Sequence, residues 1–202
     1  LCYEVTDRDG EAKMKSGIRE NVRFLEASKG GKLANGRISA AFGLHASLTL
    51  SDQSLEACTA ALPAGAGFHI HVAEHEADQQ DSLVRSQMRV VPRLQKFGIL
   101  TPQSILAHAV HVEEKEIELI AENKSWVSHQ PRSNMNNGAG AADIESLLKA
   151  GIKMCLGNDG FTQDMWSEWK AAYLMHKLWH RDPRKMNGTD VARMALDNNA
   201  AL

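Results

Sequence analysis

A chain of 202 residues with 43% hydrophobic and 24% charged side chains can bury a core and fits one soluble globular domain, which excludes a disordered tail. Its 23 basic and 25 acidic residues give a net charge of -2 and are mixed along the chain, which argues against nucleic acid or anionic lipid as a partner. No apolar run approaches the ~20 residues of a membrane span, no signal peptide is read, and the scattered Cys2, Cys58 and Cys155 argue for a reducing cytoplasm.

In chain order, Leu1 to Tyr3 reads as the end of an apolar strand, followed by a polar loop from Glu4 to Glu11. Ser16 to Lys29 places Ile18, Val22 and Leu25 at helical spacing and stops at Gly30 and Gly31. Ile38 to Gly43 is a short apolar strand running into Leu44 and His45, and Ser51 is an N-cap for a helix through Ala61. Phe68 to Ala73 is the next strand, followed by one long helical segment that ends near Phe97 before Gly98. Ser104 to His108 is a strand with a helix from Glu113 to Asn123 behind it, and Trp126 to His129 a strand with a helix from Asp143 to Ala150. Lys153 to Gly157 is the last strand, before helices over Met165 to His180 and Thr189 to Ala201.

That is about six strands in βα order, which points to an α/β fold with a parallel sheet, either doubly wound or a (β/α)8 TIM barrel. His45, His71 with Glu74, His108, His129 and Asp159 all fall at the C-terminal ends of successive strands. Those ends meet at one mouth in a barrel, whereas in a doubly wound sheet only those near the switch point would meet, so the barrel is favoured. With no linker or charge block, residues 1 to 202 read as one unit.

In Phe68-His69-Ile70-His71-Val72-Ala73-Glu74 the alternation puts His69 and His71 on one face, with Glu74 just past the strand. Imidazole nitrogens and a carboxylate oxygen are what zinc or a similar ion takes in a catalytic site, where it lowers the pKa of water toward neutrality. Other polar and large residues have plainer readings. His69 reads as a core or supporting residue and His111 as a structural hydrogen bonder. His75, His176 and His180 read as solvent-side or helix-surface residues, and the Trp166, Trp169 and Trp179 group as packing. Met135, Met154, Met165, Met175 and Met186 read as core filler.

The motifs resemble the amidohydrolase superfamily, in particular its branch of deaminases and triazine chlorohydrolases. They are His71-Val72-Ala73-Glu74, Ala107-His108-Ala109-Val110-His111, Ser128-His129-Gln130-Pro131-Arg132-Ser133-Asn134 and Leu156-Gly157-Asn158-Asp159-Gly160. Gly43-Leu44-His45-Ala46-Ser47-Leu48-Thr49 precedes them, and the first ten residues and the loop after Pro131 are most similar to the SsnA-type aminohydrolases. The resemblance implies that His71 and Asp159 ligate one divalent ion, zinc or alternatively iron, with Asp159 also acting in catalysis. It makes Glu74 the proton carrier and His108 the group that polarises the substrate beside the attacking water. His45, Arg132, Asn134 and Asn136 would bind the substrate, and Trp166 would close the far side of the pocket.

The implied activity is removal of an amino group from a small heteroaromatic ring; hydrolytic dechlorination or cyclic-amide hydrolysis on the same site is the alternative. No lysine ends the strand before His45, which favours a single ion. The family's first-strand His-x-His is not found ahead of that strand, so the chain is expected to be about strands 3 to 8 of the barrel. On that expectation the chain alone binds metal weakly and is inactive, a non-catalytic fragment is the other alternative, and a homo-oligomer stays open.

Overall fold

In the computed structural model the described residues are 2–202, so Leu1, read as part of a leading strand, lies outside them. Five strands form one sheet: β1 (Phe42–Ala46), β2 (Phe68–Val72), β3 (Ile105–His108), β4 (Trp126–His129) and β5 (Met154–Leu156). All pairings are parallel, and the spatial order repeats the chain order. A doubly wound sheet reverses direction at a switch point. None occurs among these strands, so the fold is an arc of a (β/α)8 barrel, with every strand end on one rim.

Of the strand read at the start of the chain, the described Cys2 and Tyr3 form no ladder, and a single parallel bridge follows at Val5, paired with Leu44. The cause is Asn21, whose amide bonds the backbone N–H and C=O of both Tyr3 and Gly43 and so takes the place of a ladder there. Asn21 comes from helix α1 (Glu11–Ser28), which starts five residues earlier than Ser16 because Glu11 and Lys15 pair in its first turns and Met14 is buried. Gly17 lies inside that helix, where an added Cβ would come within 2.9 Å of the Tyr3 ring. It marks a close approach of the helix to Tyr3 and Val5.

Helix α2 (Asp52–Ala61) is capped by the Ser51 hydroxyl, which accepts from the Ser54 N–H. The long helix expected before Gly98 is two, α3 (Glu76–Ser86) and α4 (Val90–Lys96), parted at Gln87 with φ 57°. The break is stabilised from outside: Gln79 accepts from Val90 N–H and the buried Glu116 from Val91 N–H, while Pro92 sits in the first turn, where its missing donor costs nothing.

Helix α5 (Glu114–Glu122) precedes β4. After it, a stretch expected to be a loop over the pocket is helix α6 (Pro131–Asn136), with proline at its first position. Helices α7 (Ile144–Lys149) and α8 (Met165–His180) flank β5. The last helix, α9, begins at Gly188 and continues through a π segment over Arg193–Asn198 to Ala201.

Phe42, Phe68, Ile70, Leu106, Val127 and Met154, on neighbouring strands, are fully buried, each contributing on the order of 1.5–3 kcal/mol. Along β2 they alternate with the half-buried His69 and His71. The outer edge of β5 is covered by side chains: Asn198 donates to the Met154 carbonyl, and Asn199 bonds both the N–H and the C=O of Leu156. No helix among the described residues is long and apolar enough to cross a membrane.

Candidate active site

The strand ends of β1, β2, β3 and β5 bring His45, His71, Glu74, His108 and Asp159 to one rim. Ring centroids lie 5.4 Å apart both for His45 with His71 and for His71 with His108. His108 Nε2 is 3.6 Å from Glu74 Oε2 and 3.8 Å from Asp159 Oδ2, and one ligand atom from each of these three residues lies within 4.8 Å of the others. Two adjoining cavities of about 320 and 450 Å3 open here and share Glu4, His71 and Asp159.

All three imidazoles are held the same way. His71 Nδ1 donates to the His45 carbonyl at 2.6 Å, His108 Nδ1 to Asn134 Oδ1 at 2.8 Å, and His45 Nδ1 to Thr49 Oγ1 at 2.8 Å. The Thr49 hydroxyl donates in turn to the Ala46 carbonyl, so it can only accept from His45. With Nδ1 protonated, each ring keeps an Nε2 lone pair, the form a metal ion or a substrate proton requires. Burial pushes the His108 and His45 pKa values down, which favours the neutral rings.

Burial alone would raise Asp159. The Ser133 hydroxyl donating to Oδ2 at 2.5 Å, the neighbouring His108 and the Gly160 N–H on Oδ1 together hold it below the usual carboxylate value. Glu74 accepts from Asn137 Nδ2 at 3.2 Å. Ala73, His108, Ala109 and Asp159 all have positive φ (46°, 71°, 50° and 53°), a left-handed backbone that costs roughly 1 kcal/mol or more at each non-glycine residue. The strain gathers at the ends of β2, β3 and β5, and strain of this kind clusters at functional sites.

The donor set suits a divalent ion of the zinc type: imidazole Nε2 atoms with their other nitrogen already engaged, and carboxylates. His71 and Asp159 are the ligand candidates named from the motifs; His71 Nε2 also lies 3.6 Å from Glu4 Oε1. Glu4 carries no motif, and nothing in the sequence marks it.

The structure does not bring Arg132, Asn134 and Trp166 onto the substrate side of this rim. Arg132 is bound to the buried Glu168 of α8 at 2.5 Å and to the Thr162 carbonyl at 2.8 Å, and lies over Phe161. Asn134 is fully buried beneath His108, and Trp166 is 73% exposed, stacked on Trp169. A larger groove of about 790 Å3 runs along α8 past Arg132 and Leu178, away from the strand-end carboxylates.

His176, read as a surface residue, is fully buried with its Nε2 3.1 Å from that of His129. Met135 is exposed and not core filler, whereas Met154 and Met186 are buried. His75 caps α3 by accepting from Ala77 N–H, and His111 donates to the Ala139 carbonyl. His69 lines the smaller cavity, and burial lowers its pKa to about 4.

The sequence profile of the amidohydrolase family matches residues 1–201. Over 99% of its length the chain is 36% identical to a 5'-deoxyadenosine deaminase of Methanosarcina mazei, covering 47% of that protein. It is 34% identical to a 5-methylthioadenosine/S-adenosylhomocysteine deaminase of Pelotomaculum thermopropionicum, over 92% of this chain and 44% of that one. An adenosine deaminase from Xanthomonas campestris, crystallised with bound zinc, superposes with a TM-score of 0.87 at 24% identity, over 98% of this chain and 46% of that one. The chain spans about half the length of the curated relatives it matches.

Proposed function

The chain belongs to the amidohydrolase family, and from that premise we propose that it serves a metal-dependent aminohydrolase acting on a small heteroaromatic ring of the aminopurine class. The observation that carries the reading is the convergence of Glu74, His108 and Asp159 beside His71. The deaminase names of the relatives support the ring class.

His71 and Asp159 would hold the ion. When bound, it supplies Lewis-acid activation of water at neutral pH. Glu74 takes a proton from the attacking water and delivers it to the departing amino nitrogen, while a C–O bond forms at the ring carbon and its bond to the exocyclic nitrogen breaks, releasing ammonia. His108, with its neutral Nε2 beside Glu74, orients the water and the ring. His45, fixed by Thr49, faces the ring from β1.

We place the protein in the reducing cytoplasm, on the strength of three free cysteines. For the chain taken alone we propose weak metal binding and no turnover, because His71 and Asp159 fall short of the three or more protein ligands of a catalytic zinc site. The test is metal analysis of the full-length protein as its gene encodes it, followed by ultraviolet assay of 5'-deoxyadenosine deamination. A metal-loaded protein that releases ammonia from no aminopurine, aminopteridine or aminotriazine would sink the reading.

A further inference from the structure

We propose that Gln130 and Asn134 form a two-point clamp on His108, so that the stretch from the end of β4 through α6 positions the residue that works beside Glu74. The inference deepens the reading above and assigns Asn134 to His108 rather than to substrate. His108 ends β3 with φ 71° and is followed by Ala109 at φ 50°, a backbone turn that a β-carbon disfavours and that must be held from outside.

Gln130 supplies one hold. Its Oε1 accepts the His108 backbone N–H at 2.9 Å while its Nε2 donates to Ser128 Oγ at 2.8 Å, and the residue is 5% exposed. Asn134 supplies the other, accepting from His108 Nδ1 through Oδ1 at 2.8 Å with no exposure. The first bond fixes where the ring starts and the second fixes its rotation and its tautomer. Together they leave the Nε2 lone pair 3.6 Å from Glu74 and 3.8 Å from Asp159.

Room for the first hold comes from β5. A Cβ on Gly157 would lie 2.8 Å from Ser128 Oγ and 2.9 Å from Gln130 Nε2, so only glycine at that place leaves the Gln130 amide where it is. The glycine of the Leu156-Gly157-Asn158-Asp159-Gly160 run thus serves β3 as well as its own strand. Gln130 and Asn134 act through His108 and are positioning residues.

The experiment uses the full-length protein labelled with 15N-histidine, the His108 signals being assigned by their loss in His108→Gln. Wild type is expected to show a protonated Nδ1 and an unprotonated Nε2 at His108. Asn134→Ala should mix the tautomers, and Asn134→Asp, which keeps an acceptor, should restore the Nδ1 proton. Gln130→Met should leave the tautomer in place but broaden or shift the His108 backbone amide, and Gln130→Glu should recover it. In turnover, Asn134→Ala and Gln130→Met should lower kcat by about 10–100-fold, with KM and metal content within about two-fold of wild type.

A wild-type His108 protonated on Nε2 would overturn the clamp, because the Asn134 amide would then be donating to Nδ1. So would an unchanged tautomer in Asn134→Ala, or kcat in both variants equal to that of wild type. The resonance readout needs no substrate. A protein that deaminates nothing but shows the Nδ1 proton, and loses it in Asn134→Ala, therefore refutes the function and leaves the clamp standing.

Discussion

Glu74 stands at the end of β2 with one carboxylate oxygen on Asn137 and the other toward His108, free to exchange a proton on that side. Replacing it by glutamine in the full-length protein keeps the shape and removes the base. We expect metal content to be unchanged and kcat to fall by on the order of 10²-fold or more, and activity within a few-fold of wild type would take Glu74 out of the mechanism. Asp159→Ala should lose metal together with activity, and full metal occupancy in that variant would put the ion elsewhere. That His71, Glu74, His108 and Asp159 come to one rim is readable in the sequence, because each stands at or just past the end of a strand of a parallel sheet. Glu4, Gln130 and His176 are not readable in this way, because their roles rest on partners far along the chain: Glu4 on His71, Gln130 on His108, and His176 on His129.

Among the elements, β4 and α8 fall where the sequence pattern puts them, since each has strong local signals at both ends. The errors lie where a tertiary contact outweighs a local one, as with Gln79 and Glu116 splitting the helix before Gly98, or Asn21 standing in for a leading strand. The stretch after Pro131 reads as a loop in the sequence and is α6 in the structure, where Pro131 takes the first helical position that suits it. The junction of β5 with the β4 segment gives the prediction at this scale. Gly157→Ala forces Ser128 and Gln130 apart, and should destabilise the fold by about 1–3 kcal/mol in urea unfolding while lowering kcat through His108. An unchanged unfolding midpoint would show that the contact yields freely.

For the molecule as a whole, buried titrating groups set the response to acid. His176 is lowered to about 4 and His129 well below its usual value, both chiefly by burial, so each takes up its proton more readily when the chain is unfolded. Their contribution is complete above about pH 6.5 and is lost as the pH falls toward 4. Asp78, buried beneath the Ala73 and Leu48 N–H groups, is raised to about 6 and acts in the opposite sense: its stabilisation is present below its unfolded value near 3.8 and is lost as the pH rises through 6. Near pH 5 the imidazoles of His69, His129 and His176, with His45 and His108 acting in the same sense, outweigh the one carboxylate, so protons are taken up on unfolding and stability falls as the pH falls. Asp78→Asn removes the opposing group and should steepen that loss by roughly 1.4 kcal/mol per pH unit; urea titrations at a series of pH values measure it, and an equal or shallower slope would contradict the assignment.

The order of the strands also bears on how such a sheet is made in time. Because β1 to β5 lie side by side in the sequence in which they are synthesised, each strand after the first leaves the ribosome when its neighbour already exists. No strand among them waits for a later one to be inserted between itself and its predecessor. Growth among these five strands can therefore proceed from one side, and Asn198 and Asn199, which emerge after α8, then shield the outer edge of β5 from a neighbouring polypeptide on the same messenger.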